Sequence, residues 1–151
     1  MAGLIYRVTQ RSTTIVRVAI IGGTGFVGGY IVDALLDRGH GVNLLVRPGS
    51  ESKVQRVDEV SVTSGNLDST DALRSVLADC DAVIYMVGLL REFPRRGITF
   101  EQTQYQGVVD TVAAAEERGV KRLLLMSAIG VKDPGTKYQQ TKRRAEVHAL
   151  D

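Results

Sequence analysis

The run Ile20-Ile21-Gly22-Gly23-Thr24-Gly25-Phe26-Val27-Gly28 constrains this chain most, because a β-branched apolar segment breaks into glycines and reopens at once as an amphipathic helix. Within Gly22-x-x-Gly25-x-x-Gly28 each glycine has a physical reason to lack a side chain. Gly22 takes the positive φ of a tight strand-to-helix turn, Gly25 lets the backbone approach a diphosphate, and Gly28 lets the helix lie close on the sheet. The first helical amides then offer unpaired N–H groups and the positive end of the helix dipole to an anion. Spacing alone proves little. With 16 glycines in 151 residues, it arises by chance about 0.17 times, so the flanks decide. Val16–Ile21 is almost wholly apolar, as a parallel strand buried on two faces should be. Phe26, Ile31, Leu35 and Leu36 form an apolar stripe opposite Asp33, Asp37 and Arg38. The alternative is a glycine-rich connection without a ligand. Thr24, Phe26 and Val27 join the three glycines as cofactor-binding candidates.

Composition narrows the class. At 151 residues, 44% hydrophobic and 24% charged, the chain has the make-up of one ordinary globular domain that buries a core without staples. The longest apolar runs, near Val83–Leu90 and Leu123–Met126, fall far short of the roughly 20 residues a bilayer span needs. No secretory apolar region follows Met1, since Arg7, Gln10 and Arg11 interrupt it. Cys80 stands alone, which excludes an internal disulfide, fits a cytoplasmic, reducing compartment and, with only His40 and His148, argues against structural zinc. A net charge of +2 is weak support for nucleic-acid binding, and no base-stacking surface is evident among three Phe and five Tyr. The basic groups Arg91, Arg95, Arg96 and Lys142, Arg143, Arg144 read as solvated surface.

After the first turn, extended and helical signals alternate. Strands are expected at Val42–Val46, Val60–Thr63, Ala82–Val87 and Arg122–Met126, and helices at Asp71–Ala78, Phe100–Arg118 and Tyr138–Leu150. Ser69 or Thr70 caps the first of these helices, and Gly119 ends the long one. Glu51–Val57 is a short helix or loop, and Arg91–Gly97, with Pro94, is a loop. Such alternation implies right-handed crossovers and an α/β, doubly wound parallel sheet, a Rossmann fold of about five strands in order 3-2-1-4-5. Residues 1–14 are expected to be a flexible extension, and residues 15–151 the folded domain.

Dinucleotide choice is read at the exit of the second strand. A site selective for the unphosphorylated cofactor places Asp or Glu about 20 residues beyond the glycines. Here the exit carries Arg47, with Ser50 and Lys53 close behind. A guanidinium there favours a 2′-phosphate, so NADP(H) is expected over NAD(H), although Arg47 could instead stack on adenine or face water. Asn66 and Leu67 follow the third strand, where an adenine edge should rest, although Asn66 also suits a turn. Val87 and Gly88, at the exit of the fourth strand, complete the cofactor candidates.

The fifth strand ends at Ser127, followed by Tyr138-Gln139-Gln140-Thr141-Lys142, a Tyr-x-x-x-Lys that places two side chains on one helix face. Together with the glycine turn, this set resembles the short-chain dehydrogenase/reductase superfamily. More narrowly it resembles the atypical branch that holds the complex I nucleotide-binding accessory subunit and the NAD(P)-binding epimerase/dehydratase-like proteins. The resemblance covers nearly the whole chain after Val16. It implies hydride transfer with an unknown carbonyl or alcohol: Tyr138 as general acid/base, Lys142 lowering its pKa and holding the nicotinamide ribose, Ser127 orienting the substrate. A phenol near pKa 10 is a poor base at neutrality, and a nearby ammonium stabilises the phenolate. The plain alternative is that Tyr138 and Lys142 are ordinary exposed helix residues.

Two departures matter. Where many members carry an Asn supporting a proton relay, this chain has Gln104, which puts the relay in doubt. The superfamily also continues into a C-terminal segment that builds the substrate pocket, whereas this sequence stops at Asp151. A cofactor half without its substrate half is therefore expected: either the sequence is truncated, or the protein binds a nucleotide without processing a specific substrate, or a partner subunit or homo-oligomer supplies the missing wall, with a position peripheral to a membrane complex as one setting. The alternative function is a non-catalytic, nucleotide-binding regulatory or respiratory-complex assembly subunit.

Overall fold

Residues 14–151 are described by a computed structural model, so the expected extension lies outside the described residues apart from Thr14. Five strands, β1 Arg17–Ile21, β2 Gly41–Val46, β3 Ser61–Ser64, β4 Ala82–Tyr85 and β5 Arg122–Leu125, form one sheet in order β3-β2-β1-β4-β5. Every neighbouring pair is parallel. The doubly wound arrangement expected from the alternation of signals is thus the one observed, and its order reverses between β1 and β4.

Period-two alternation sorts the strand residues between two cores. Val18, Ile20, Val42, Leu44 and Val46 face helix α1 (Phe26–Leu36), where Val32 is buried and Ile31, Leu35 and Leu36 pack against them. Ala19, Ile21, Leu45, Val83 and Tyr85 face the opposite side, covered by α2 (Thr70–Val76), α3 (Gly107–Glu117) and α4 (Lys137–Leu150). Each fully buried Val, Leu or Ile contributes about 1.5–3 kcal/mol relative to exposure. Asn43, a polar residue in the buried strand β2, is satisfied. Its amide donates to Val76 O at 3.0 Å and Cys80 Sγ at 3.3 Å, and its Oδ1 accepts from Arg17 Nη1 at 3.2 Å.

Two local expectations change, at Phe26 and over Phe100–Arg118, while the short helix or loop expected at Glu51–Val57 takes the form of 3₁₀ turns. Phe26 does not join the apolar stripe of α1: it is 82% exposed and packs edge-on against exposed Tyr30. Residues after β2 make two 3₁₀ turns, Glu51–Lys53 and Val57–Glu59, with Arg56 between them bound to Glu59 and Asp37. The long helix expected over Phe100–Arg118 is divided. Glu101–Gln106 forms a π turn before α3, in which Gly107 N–H reaches back to Gln102 O. Buried Tyr85 explains the widening, because its hydroxyl donates to Thr103 O and lies where a Cβ on residue 107 would sit. Ser69 caps α2 as expected, its hydroxyl accepting from Ala72 N. Helix α4 opens with a full capping box between Thr136 and Gln139.

Candidate functional site

Above the carboxyl ends of the strands, astride the β1/β4 reversal, lies a cleft of about 960 Å3, near the upper end of the range for ligand sites. Its base is the glycine turn. Gly22 has φ of +99° and Gly25 N–H closes the turn onto Gly22 O at 3.2 Å. Gly25 is the N-cap of α1 and supplies no side-chain acceptor, and the first intrahelical amide to find a partner here is Gly29, bonded to Gly25 O. The amides of Phe26, Val27 and Gly28 therefore remain available to an anion. A Cβ on Gly28 would fall 2.5 Å from Gly22 O and 2.7 Å from Gly23 Cα. Helix α1 reaches this close to β1 because that side chain is missing.

Arg47, Lys53, Asn66 and Leu67 line the side of the cleft above β2 and β3, and Gly22, Thr24, Gly25, Val87 and Gly88 line its centre. Arg47-Pro48-Gly49-Ser50 is a tight turn, closed by Ser50 N–H on Arg47 O at 2.9 Å, with Gly49 at φ +84°. This turn carries Arg47, exposed, onto the rim. Phe26, Val27 and Gly28 do not line the cleft with side chains; Phe26 and Val27 turn theirs outward.

Ser127, Tyr138 and Lys142 do not line this cleft either. Lys142 comes nearest. It is buried, its Nζ donates to Met126 O at 2.9 Å, and a Cβ on Gly88 would lie 3.8 Å from that nitrogen. Burial pushes the Lys142 pKa down, only partly opposed by Glu146. Tyr138 is half-buried and packs edge-on against Phe100 at 5.6 Å between ring centres. The Glu146 carboxyl is held below its ordinary range, first by the neighbouring Ser127 hydroxyl and then, against the opposing effect of burial, by Arg143. That hydroxyl nevertheless lacks hydrogen-bond geometry. Ser127 Oγ is the one buried side-chain N or O atom without a partner among the described residues.

Gln104 is fully buried and committed to the scaffold: its Nε2 donates to Leu89 O at 2.9 Å and its Oε1 accepts from Thr141 Oγ1 at 3.2 Å. It ties the segment after β4 to the helix carrying Tyr138 and Lys142. Sequence reasoning missed the third wall of the cleft, formed by Arg96, Gly97 and Ile98 and by Gln102, Thr103, Gln106, Gly107 and Asp110. Read as a plain loop and a plain helix, these residues offered no spacing signal. The first three sit on the turn closed by the Phe93–Ile98 bridge, and the others on the π turn and the start of α3.

Fold, amide-lined turn and cationic rim together define a nicotinamide-dinucleotide-binding protein. The sequence pattern of a family described as NAD(P)H-binding matches residues 22–149, and the chain belongs to that family. It is 31% identical to ceramide reductase of Caulobacter vibrioides over 89% of this chain and 42% of that protein. It is 27% identical to the chloroplastic divinyl chlorophyllide a 8-vinyl-reductase of Cucumis sativus over 89% of this chain and 34% of that protein. The chain thus spans well under half the length of these relatives. Among solved structures, the Bordetella bronchiseptica enzyme WbmH in complex with NAD+ superposes with a TM-score of 0.75 at 20% identity, over 90% of this chain and 52% of that one. That likeness concerns the fold. No helix among the described residues is long and apolar enough to cross a membrane.

Proposed function

We propose that this chain is the cofactor-binding part of an atypical short-chain dehydrogenase/reductase that takes NADP(H) in preference to NAD(H) and serves hydride transfer with a carbonyl or alcohol substrate. The observation that carries the reading is the side-chain-free cradle at Gly22, Gly25 and Gly28, open to a cleft whose β2 rim holds Arg47 and Lys53 and no carboxylate. The cradle fits a diphosphate. When bound, the cofactor supplies or accepts the hydride.

The chain's own residues do the rest. Amides of Phe26 and Val27 hold the diphosphate, Arg47 and Lys53 hold a 2′-phosphate through charge-assisted bonds, and Asn66 and Leu67 border the adenine. Val87 and Gly88 leave the backbone open toward the nicotinamide half, with Lys142 Nζ directly behind Gly88. Tyr138 moves the proton to or from the substrate oxygen, and Lys142, a cation held out of water, stabilises the phenolate. Ser127, whose buried hydroxyl has no partner, orients the substrate oxygen; a buried polar atom left unpaired calls for a reason, and a substrate oxygen would supply the missing partner. The relatives named reductases support the same chemistry.

Fluorescence titration with NADPH and NADH tests the cofactor assignment. Tighter binding of NADPH is expected, with the preference reduced at least about tenfold in Arg47→Asp; tighter NADH binding by the parent chain rejects it. Tyr138→Phe separates catalysis from a structural role. An enzyme loses turnover and keeps cofactor affinity, whereas a non-catalytic assembly subunit is indifferent.

A further inference from the structure

The segment between β4 and the π turn is a built projection rather than a slack loop. Phe93 and Ile98 pair as an antiparallel bridge, with Phe93 N–H on Ile98 O at 2.7 Å and Ile98 N–H on Phe93 O at 3.2 Å. Between them Pro94–Arg96 makes one 3₁₀ turn, and Gly97 reverses the chain at φ +68°. Glu92 anchors the base: its carboxylate accepts from Phe100 N at 2.8 Å and from Lys137 Nζ at 3.0 Å. Both contacts tie the projection to the residues around Tyr138, since Lys137 precedes it in α4 and Phe100 packs on its ring.

Three arginines ride on this projection. Arg96 lines the cleft, Arg95 precedes it in the same turn and is exposed, and Arg91 lies over the Phe93 ring at 5.6 Å. Among the described residues none of the three makes an ion pair or a side-chain hydrogen bond. Of the carboxylates near them, Glu92 is held by Lys137 and Glu101 by Arg144, and Asp110, on the same wall of the cleft as Arg96, accepts from the Gln106 amide at 2.8 Å. Residues 1–13 contain no Asp or Glu. Like charges gathered on a short anchored turn repel one another, so an anion that settles among them is favoured over water alone. This wall is above β4, on the far side of the reversal from Arg47 and Lys53, and so lies away from the rim assigned to the cofactor's 2′-phosphate.

The geometry points to a substrate-side anion site: Arg96, supported by Arg91 and Arg95, binds a carboxylate or phosphate carried by the carbonyl or alcohol compound that approaches Tyr138. This rests on the proposed function and narrows its substrate to an anionic one. Guanidinium forks suit either oxyanion through paired N–H donors. A held projection loses little freedom on binding, which favours recognition by the turn over recognition by a mobile loop.

The test uses the chain saturated with NADP+ and three probes that share a ring and an aldehyde: 4-carboxybenzaldehyde, 4-formylphenyl phosphate and the neutral methyl 4-formylbenzoate. Calorimetric titration should show at least one anion binding about tenfold or more tightly than the ester, the low end for a charge-assisted bond. The gap should close to about twofold in the combined Arg91→Gln, Arg95→Gln, Arg96→Gln variant, and the tighter anion identifies carboxylate or phosphate. Equal binding of ester and anions, no anion binding, or a gap that survives the triple substitution overturns the site while leaving the cofactor assignment intact. Failure of NADP+ itself to bind overturns both.

Discussion

Gly25 and Gly28 stand three residues apart and answer different demands. A methyl at Gly28 meets backbone atoms of Gly22 and Gly23 at 2.5–2.7 Å, so α1 must move off the sheet. Gly28→Ala should cost about 1–3 kcal/mol, the usual penalty for overpacking, read as a fall in the urea midpoint. A methyl at Gly25 meets only Gly22 O, at 3.3 Å, and the backbone there (φ −82°, ψ 172°) suits any residue. Gly25→Ala should therefore lose less than about 1 kcal/mol yet weaken NADPH binding at least about tenfold, because the methyl occupies the approach to the turn. Equal losses of stability in the two variants would contradict this division. Lys142 makes a pH-dependent prediction. Burial lowers its pKa in the fold, so below that value folding carries the cost of a buried charge. As pH rises from there toward the unfolded value of about 10.4, the unfolded chain binds more protons and stability rises. Cys80 acts oppositely: burial pushes its thiol up to about 11, so stability falls as pH passes above the unfolded value of about 8.5. Lys142→Met removes the first effect and leaves the second. Between about pH 7 and pH 10 the urea midpoint of the parent should gain on that of the variant; a constant difference would rule out the depressed pKa.

At the scale of elements, the segment from β4 to α4 shows what a sequence reveals and what it conceals. The glycine turn, the cap at Ser69 and the five-strand order were legible because each rests on local chemistry or on a period of two or 3.6 residues. The π turn was not, since it arises from a distant group, the buried Tyr85 hydroxyl, taking Thr103 O. For the same reason Gln104 looked like a departure from a relay position, whereas the fold uses it as a bridge between Leu89 O and Thr141. Phe26 misled in the other direction: a large apolar residue at the helix start was read into the stripe, but it shares the outward face of α1 with Tyr30, away from buried Val32, and its ring stays in solvent. Truncating Gln104 to Ala removes a fully buried side chain and leaves a carbonyl unpaired, which should cost about 2–4 kcal/mol in chemical denaturation. A loss below about 0.5 kcal/mol would show that α4 and the β4 exit are held together by other means.

The whole molecule is covered unevenly. Helix α1 shields the centre of its face of the sheet, but the cover thins outward: Ile84 is half-buried, and Leu124 on β5 and Val62 on β3 are 53% and 42% exposed. Strand β5 pairs with β4 alone among the described residues. An edge of that kind, with an apolar face beside it, invites further pairing. The expected outcome is self-association of the chain in sedimentation velocity, relieved by Leu124→Lys; a clean monomer at high concentration would contradict it. The nucleotide cleft lies at the carboxyl ends of β1 to β4 and takes no lining residue from β5, and so does not depend on how that edge is covered. Its occupancy is best read by a crystal structure grown with saturating NADPH. The account predicts the diphosphate against the amides of Phe26 and Val27, with the 2′-phosphate beside Arg47; a cleft holding only solvent, or nucleotide bound elsewhere on the chain, would contradict it.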